Sequence, residues 1–279
     1  MSYKSIIVHV DQSRHAATRI KMAAEIAIAE NAHLVGAAMT GISRFVSRDS
    51  TFDPTGVIIA SQVDFLYERA NLALADFDSI AKKMGVLSYE KRLVDDEPES
   101  GLSIQARYCD LVVVSQADPD EPSPNLVSDL PEYVTLNCAR PVLIVPHTGQ
   151  FSHAGKNVLV AWDASMEATR AVTNAIPLLK LAKNVTVALF NTARQADVHG
   201  EQPGADIALF LARHDIKVNV LQQSTNHDIG HALIALAADR GSDLMVMGCY
   251  GHTRFRELLL GGVTVTVLES MKIPTLMSH

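Results

Sequence analysis

A chain of 279 residues is long enough for one large domain or for two of ordinary size, each burying its own core. Its composition, 48% hydrophobic and 20% charged with 11 prolines, is that of a globular protein and excludes extended disorder. A formal charge of −7 excludes a general nucleic-acid or anionic-membrane surface, so any phosphate site has to be local.

Ile6 to Val10 is a compact apolar run that ends at Asp11. A polar turn with Ser13 follows it, and then helical apolar spacing over Ala17 to Glu30. Further strands are expected at Leu34 to Thr40, Leu87 to Val94, Leu111 to Ser115 and Val142 to Val145. Between the second and third of the half's strands, a long helix from Gly56 to Met84 carries its apolar face through Ile59, Val63, Leu66 and Ala70. Pro146 to Lys156, polar and with Gly149 and Gly155, reads as a linker.

The opening then recurs. Val158 to Trp162 ends at Asp163, a turn with Ser165 follows, and a helix is expected over Glu167 to Lys183, kinked at Pro177. Strands follow at Val185 to Asn191, Lys217 to Gln222, Leu244 to Met247 and Thr275 to Met277. The ends of the halves match without a gap: Asp110 with Asp243 and Pro141 with Pro274 both stand 133 residues apart. Alternating short strands and helices mean parallel strands with right-handed crossovers. The fold class is therefore α/β: two tandem domains, 1–146 and 157–279, each a doubly wound five-stranded parallel sheet with helices on both faces. The strands Val142 to Val145 and Thr275 to Met277 are candidates to pair within the chain.

The stretch from Leu244 to Val263 carries the chemistry. An apolar strand empties into a loop with Gly248, Gly251, Gly261 and Gly262, and a helix over Val263 to Ser270 follows at once. Unpaired backbone N–H groups at such a helix start favour anions, and glycine lets a phosphate approach closely. At the matching positions the first half has Ser115, Asp118, Ser128 and Asp129, with Asp120 and Glu121 in the same loop. Those acids repel a polyphosphate, and Pro119, Pro122 and Pro124 remove N–H donors, so the first half is expected to hold no anion.

The glycine spacing resembles the G-x2-G-x9-G-Ser/Thr signature of ATP-binding universal stress proteins, with one departure: Gly262 stands in the Ser/Thr slot. The resemblance covers nearly the whole chain, as a tandem two-domain member. It implies a Rossmann-like fold of the adenine nucleotide alpha hydrolase-like type, dimers or intramolecular pseudo-dimers, and bound ATP, with Mg²⁺ as its companion. By the same resemblance Ala161, Trp162 and Asp163 line base and sugar, Phe190 lies against adenine, and Met247 forms another wall. Gly248, Gly251, Gly261, Gly262, Val263 and Thr264 supply backbone donors to the phosphates, and His252 and Arg254 add positive charge. Asp163 has a second reading, as the cap of the helix that follows it.

Other constellations carry less. His227 and His231 sit four apart at the start of a helix over Asp228 to Arg240, but no third ligand is evident and no metal is assigned. Cys109, Cys138 and Cys249 form no CxxC pair and read as reduced thiols. No apolar run is long enough for a membrane span and no signal layout opens the chain, so a cytoplasmic protein without membrane or nucleic-acid partners is expected. No Ser/His/Asp order, paired carboxylates or HExxH appears, so no catalytic residue is assigned and hydrolysis is expected to be slow or absent. The rival readings are a nucleotide-free interaction module, its pocket filled by Trp162 or an apolar ligand, and a slow ATP hydrolase.

Overall fold

The computed structural model describes residues 2–42, 57–121, 130–149, 151, 155–194, 201–251 and 262–279. Residues 3–140 form one compact unit and residues 141–279 another.

The first unit runs β1 (Ser5–His9), α1 (Ala16–Glu30), β2 (His33–Met39), α2 (Val57–Met84), β3 (Tyr89–Val94), α3 (Pro98–Gln105), β4 (Leu111–Ser115) and α4 (Leu130–Asn137). Gly56, expected to begin α2, lies outside the described residues. The strands are parallel in the order β3-β2-β1-β4. Ile6, Ile7 and Val8 are buried because β1 is central and covered on both faces, which is why its sequence is continuously apolar. Helix α1 buries Ile20, Ala23, Ala24 and Ala27 and stops at Asn31, whose φ of 51° is a left-handed conformation that asparagine tolerates. Gly36 of β2 is required by packing: a Cβ there would lie 2.5 Å from the ring of Phe77, which is fully buried on α2.

The second unit begins with β5 (Val142–Val145) and continues with β6 (Asn157–Ala161), α5 (Met166–Leu181), β7 (Asn184–Phe190), α6 (Ala205–Ala212), β8 (Asn219–Gln223), α7 (Ile229–Asp239), β9 (Leu244–Gly248), α8 (Val263–Ser270) and β10 (Thr275–Ser278). Its strand order is β5-β10-β9-β6-β7-β8, parallel except for β5. That strand runs antiparallel to β10, with Leu143 opposite Leu276, so the pairing expected within the chain is present. All four residues of β5 are buried, and an apolar strand of this kind needs a partner for its backbone groups.

The repeat is visible in side-chain roles. Asp110 accepts the backbone N–H groups of Lys4 (2.7 Å) and Ser5 (3.1 Å) at the start of β1. Its counterpart Asp243 accepts those of Gly155, Lys156 and Asn157 at the start of β6. Asp110 thus clamps β1 to the loop before β4, and Asp243 clamps β6 to the loop before β9.

The chain builds two strands outward from β1 and then returns to the other side of β1 with β4, and it does the same from β6, returning with β9. Right-handed crossovers then place α1 and α2 on one face and α3 and α4 on the other, and each pair is in contact. The strand order reverses between β1 and β4, and between β6 and β9. Loops at the carboxyl ends of those strands diverge and leave a crevice there. Among the described residues no helix is long and apolar enough to cross a membrane.

Candidate functional site

In the second unit that crevice is a cavity of about 210 Å³. Ala161, Trp162 and Asp163 bring the end of β6 to it, Phe190 the end of β7, and Met247 and Gly248 the end of β9. Gly251 and the first residues of α8, Val263 and Thr264, complete the group, so nine of the residues singled out by sequence line one cavity. Gly262 is the residue before α8, with ordinary extended dihedrals (φ −65°, ψ 165°) and no side chain capping the helix. His252, Arg254 and Gly261 lie outside the described residues.

The lining divides by chemistry. Trp162, Ala188, Phe190, Ile229, Leu233 and Met247 supply an apolar part, and the open start of α8 supplies N–H groups. Tyr250 N–H donates to Thr264 Oγ1 (3.2 Å), which ties the glycine loop to α8. Asp163 does not cap α5. Ser165 does, its Oγ accepting from Ala168 N–H at 3.1 Å, while Asp163 Oδ1 accepts from Ser165 N–H at 3.0 Å and braces the turn. A serine one residue before the helix reaches the third N–H, whereas an aspartate two residues earlier cannot.

The two described loop glycines have different reasons to be glycine. A Cβ on Gly248 would lie 2.4 Å from the backbone nitrogen of Ala168 and 2.6 Å from the carbonyl carbon of Glu167, so packing of β9 against the start of α5 forbids any side chain. At Gly251 the neighbour is a carboxylate, with Glu167 Oε2 3.0 Å from the Cβ position. Glu167 lies in the first turn of α5, is buried, and lines the cavity, with Arg170 Nη1 3.8 Å from Oε1. Sequence reasoning missed it and expected a cradle bare of acid. The signal was the repeat: Asp11 and Ser13 correspond to Asp163 and Ser165, so His15 corresponds to Glu167, and His15 faces Asp118, the counterpart of Gly251.

The first unit has a larger cavity, about 410 Å³, at the corresponding place. Ser115 and Asp118 stand where the second unit has Gly248 and Gly251, while Pro122, Pro124, Ser128 and Asp129 lie outside the described residues. The buried guanidinium of Arg19 donates to the His9 carbonyl (2.7 Å), Ser115 Oγ (2.7 Å) and Asp11 Oδ1 (2.9 Å). The Asp11 carboxylate that the second unit leaves exposed at Asp163 is here consumed by an internal ion pair.

His9, also buried, has its pKa lowered to about 4, chiefly because burial disfavours the imidazolium, with Arg19 adding to the effect against the opposing pull of Asp11. In the unfolded chain it titrates near 6.5, so the unfolded state takes up the proton first as pH falls. Its neutral form therefore supports the fold fully above about pH 6.5, and that support drains away toward pH 4. Chemical denaturation across this range should show the midpoint falling with pH, and His9→Gln should make the fall shallower. An unchanged slope in the variant would remove His9 from the account.

Residues 155–279 match the family model described as the universal stress protein family. The second half of the chain is a universal stress protein domain. Universal stress protein Slr1230 of Synechocystis is 30% identical over 152 residues, which are 52% of this chain and 49% of that protein. Universal stress protein MJ0577 of Methanocaldococcus jannaschii is 39% identical over 44 residues, 16% of this chain and 27% of that one. The chain thus matches about half of one curated relative's length and about a quarter of the other's. A solved universal stress protein from Archaeoglobus fulgidus aligns over 98% of this chain and 97% of its own with a TM-score of 0.75. At 16% identity that likeness extends the Rossmann-like universal stress protein fold over both units.

Proposed function

We propose that the second unit binds an adenine nucleotide, ATP foremost, and that the protein acts in a stress response through that bound nucleotide with little or no hydrolysis. The observation that carries this reading is the cavity at the β6/β9 reversal, apolar at one part and open to the uncapped start of α8 at another. A flat heterocycle suits the part between Phe190, Met247 and Trp162, and phosphate oxygens suit the N–H groups of Val263 and Thr264. Asp163, exposed at the rim, is placed to accept from ribose hydroxyls. Gly261, Gly262, His252 and Arg254 extend the proposed phosphate contacts along the loop. The first unit, with its acid at Asp118, is assigned no nucleotide.

Glu167 gives this reading its particular form. A carboxylate beside Gly251 repels a bare polyphosphate by about 1 kcal/mol in water and by more where partly buried. With phosphate oxygens it also completes an oxygen-rich corner suited to Mg²⁺. The nucleotide is therefore expected to bind as its magnesium complex. Glu167→Gln should raise affinity for metal-free ATP about tenfold and narrow the difference between ATP and Mg-ATP.

Equilibrium binding of labelled ATP with and without Mg²⁺ tests the reading, together with the mass of any nucleotide carried through purification. Failure to saturate at millimolar nucleotide would overturn it and favour the interaction module. Steady-state phosphate release well above background would instead favour the hydrolase. We further propose that the two halves act as an intramolecular pseudo-dimer in the cytoplasm, with homodimers of the whole chain to be sought by light scattering.

A further inference from the structure

The strand order of the second unit ends at β8, and β8 leaves half of its backbone open. Phe190 is in register with Gln223, and Asn191 N–H donates to the Gln223 carbonyl at 2.9 Å, so the N–H and C=O of Gln223 face β7. Direction alternates along a strand. Asn219 and Leu221 therefore face β7 as well, whereas the backbone groups of Val220 and Gln222 point away from the sheet. Among the described residues no strand is in register with them on that side, and both residues are exposed.

Proteins blunt such edges with charge, proline or a covering segment. β3, an outer strand of the first unit, carries Glu90, Lys91 and Arg92. A second β3 laid antiparallel against it in a register centred on any of these sets like charges opposite each other. β8 reads Asn-Val-Leu-Gln-Gln, with no charge and no proline. Reversed about Leu221, it suits a copy of itself: leucine meets leucine at the centre, Val220 meets Gln222, and Asn219 meets Gln223.

We propose that β8 is the surface on which a second copy of this chain docks, the two strands pairing antiparallel about a twofold axis at Leu221. Val220 and Gln222 then face Gln222 and Val220 of the second copy, and each pair exchanges both of its N–H···O=C bonds because those groups already point outward. Leu221 faces its own copy in the pair type without hydrogen bonds, which brings Cα atoms to about 4.5 Å and side chains closest. Val220 lies on the face of α6, since a Cβ on Gly204 would meet its Cγ1 at 2.6 Å, and Leu221 lies by alternation on the other face. Pairing thus covers apolar surface on both faces, including Val220, now 39% exposed. The twofold axis uses each edge once and closes the assembly at two copies. One strand edge is small beside a standard interface, so the dimer is expected to dissociate on the order of tens of micromolar. The proposal is independent of nucleotide in the second unit, and it names the surface of the whole-chain homodimer.

The test uses the full chain, free of nucleotide, in sedimentation equilibrium from about 5 to about 500 micromolar, where monomer should give way to dimer. Across that range, amide exchange of the unmutated protein should slow about fivefold at Val220 and Gln222 and stay unchanged at Tyr89 and Lys91 of β3. This readout does not depend on any variant folding. Leu221→Lys and Leu221→Glu each set like charges at the axis and should raise the dissociation constant at least about tenfold. Mixed in equal amounts, the two variants should dimerise again, which misfolded chains would not do. A chain that stays monomeric at the highest concentration overturns the proposal. So does a dimer that both variants leave unchanged, or one whose exchange protection falls outside β8.

Discussion

Gly251→Asp is expected to abolish the proposed nucleotide binding and to leave the second unit folded. A Cβ on Gly251 falls 3.0 Å from Glu167 Oε2, so an aspartate places a second carboxylate beside the first, on the wall assigned to phosphates. In the first unit the same position is Asp118, and His15 pairs with it at 2.7 Å. In the second unit the residue corresponding to His15 is Glu167, so the new charge meets a like charge. Two carboxylates facing a polyphosphate at a partly buried site cost several kcal/mol, and the expected loss of affinity is at least about a hundredfold. The fold should survive because the contact is with the flexible end of a side chain, and Gly251 has no positive φ to protect. A melting temperature within a few degrees of the parent, with binding gone, is the expected pair of results. Retained binding means the nucleotide lies elsewhere. Gly251→Asp combined with Glu167→His rebuilds the pairing of the first unit and should regain stability without regaining ATP.

Arg19→Met should be among the most destabilising single substitutions in the first unit. Arg19 is 1% exposed and donates to the His9 carbonyl, to Ser115 and to Asp11. Burial by itself would raise the Asp11 carboxyl, but Arg19, His9 and the bonds from Ser13 overcome that and hold it below the usual carboxylate range. A depressed carboxylate contributes stability that is complete above its unfolded pKa near 4 and is lost as pH falls through the folded value. Deleting the guanidinium leaves that charge uncompensated at neutral pH, and breaking a buried pair from one side costs about 3 to 5 kcal/mol. The lower end is expected, since the Asp11 side chain keeps 29% exposure. Denaturant unfolding of the full chain, followed at the transition of the first unit, measures it. Arg19→Met with Asp11→Asn should recover a large share, because much of the penalty is the orphaned carboxylate. A loss under about 1 kcal/mol for the single variant would show that the pair is not holding the strand ends together.

The repeat, the strands and most of the second cavity are legible in the sequence because they are recorded in neighbouring residues. Runs such as Leu111 to Ser115 and Leu244 to Gly248 are apolar because a central parallel strand is covered on both faces. The constant separation of Asp110 from Asp243 carried the first unit's pattern onto the second, and the two aspartates perform the same clamp. Asp163 and Gly248 could be placed together in advance because a doubly wound sheet gathers the carboxyl ends of its strands at the reversal point, and the family resemblance added Ala161, Phe190 and Met247 to them.

What only the tertiary structure decided is which charges meet. Glu167 against Gly251, His15 against Asp118 and Glu121, and Arg19 between His9, Asp11 and Ser115 join loops that lie far apart in the chain. Hydrophobic period fixes an element's type and face within a few residues. A charged side chain finds its partner through the three-dimensional ending of two strands and the rotamers open there, and neither is recorded in local spacing. The sequence by itself therefore determined that this is a duplicated α/β chain with a glycine-rich loop in its second half. The folded structure decided that acid enters both cradles, answered by histidine in the first and facing glycine in the second.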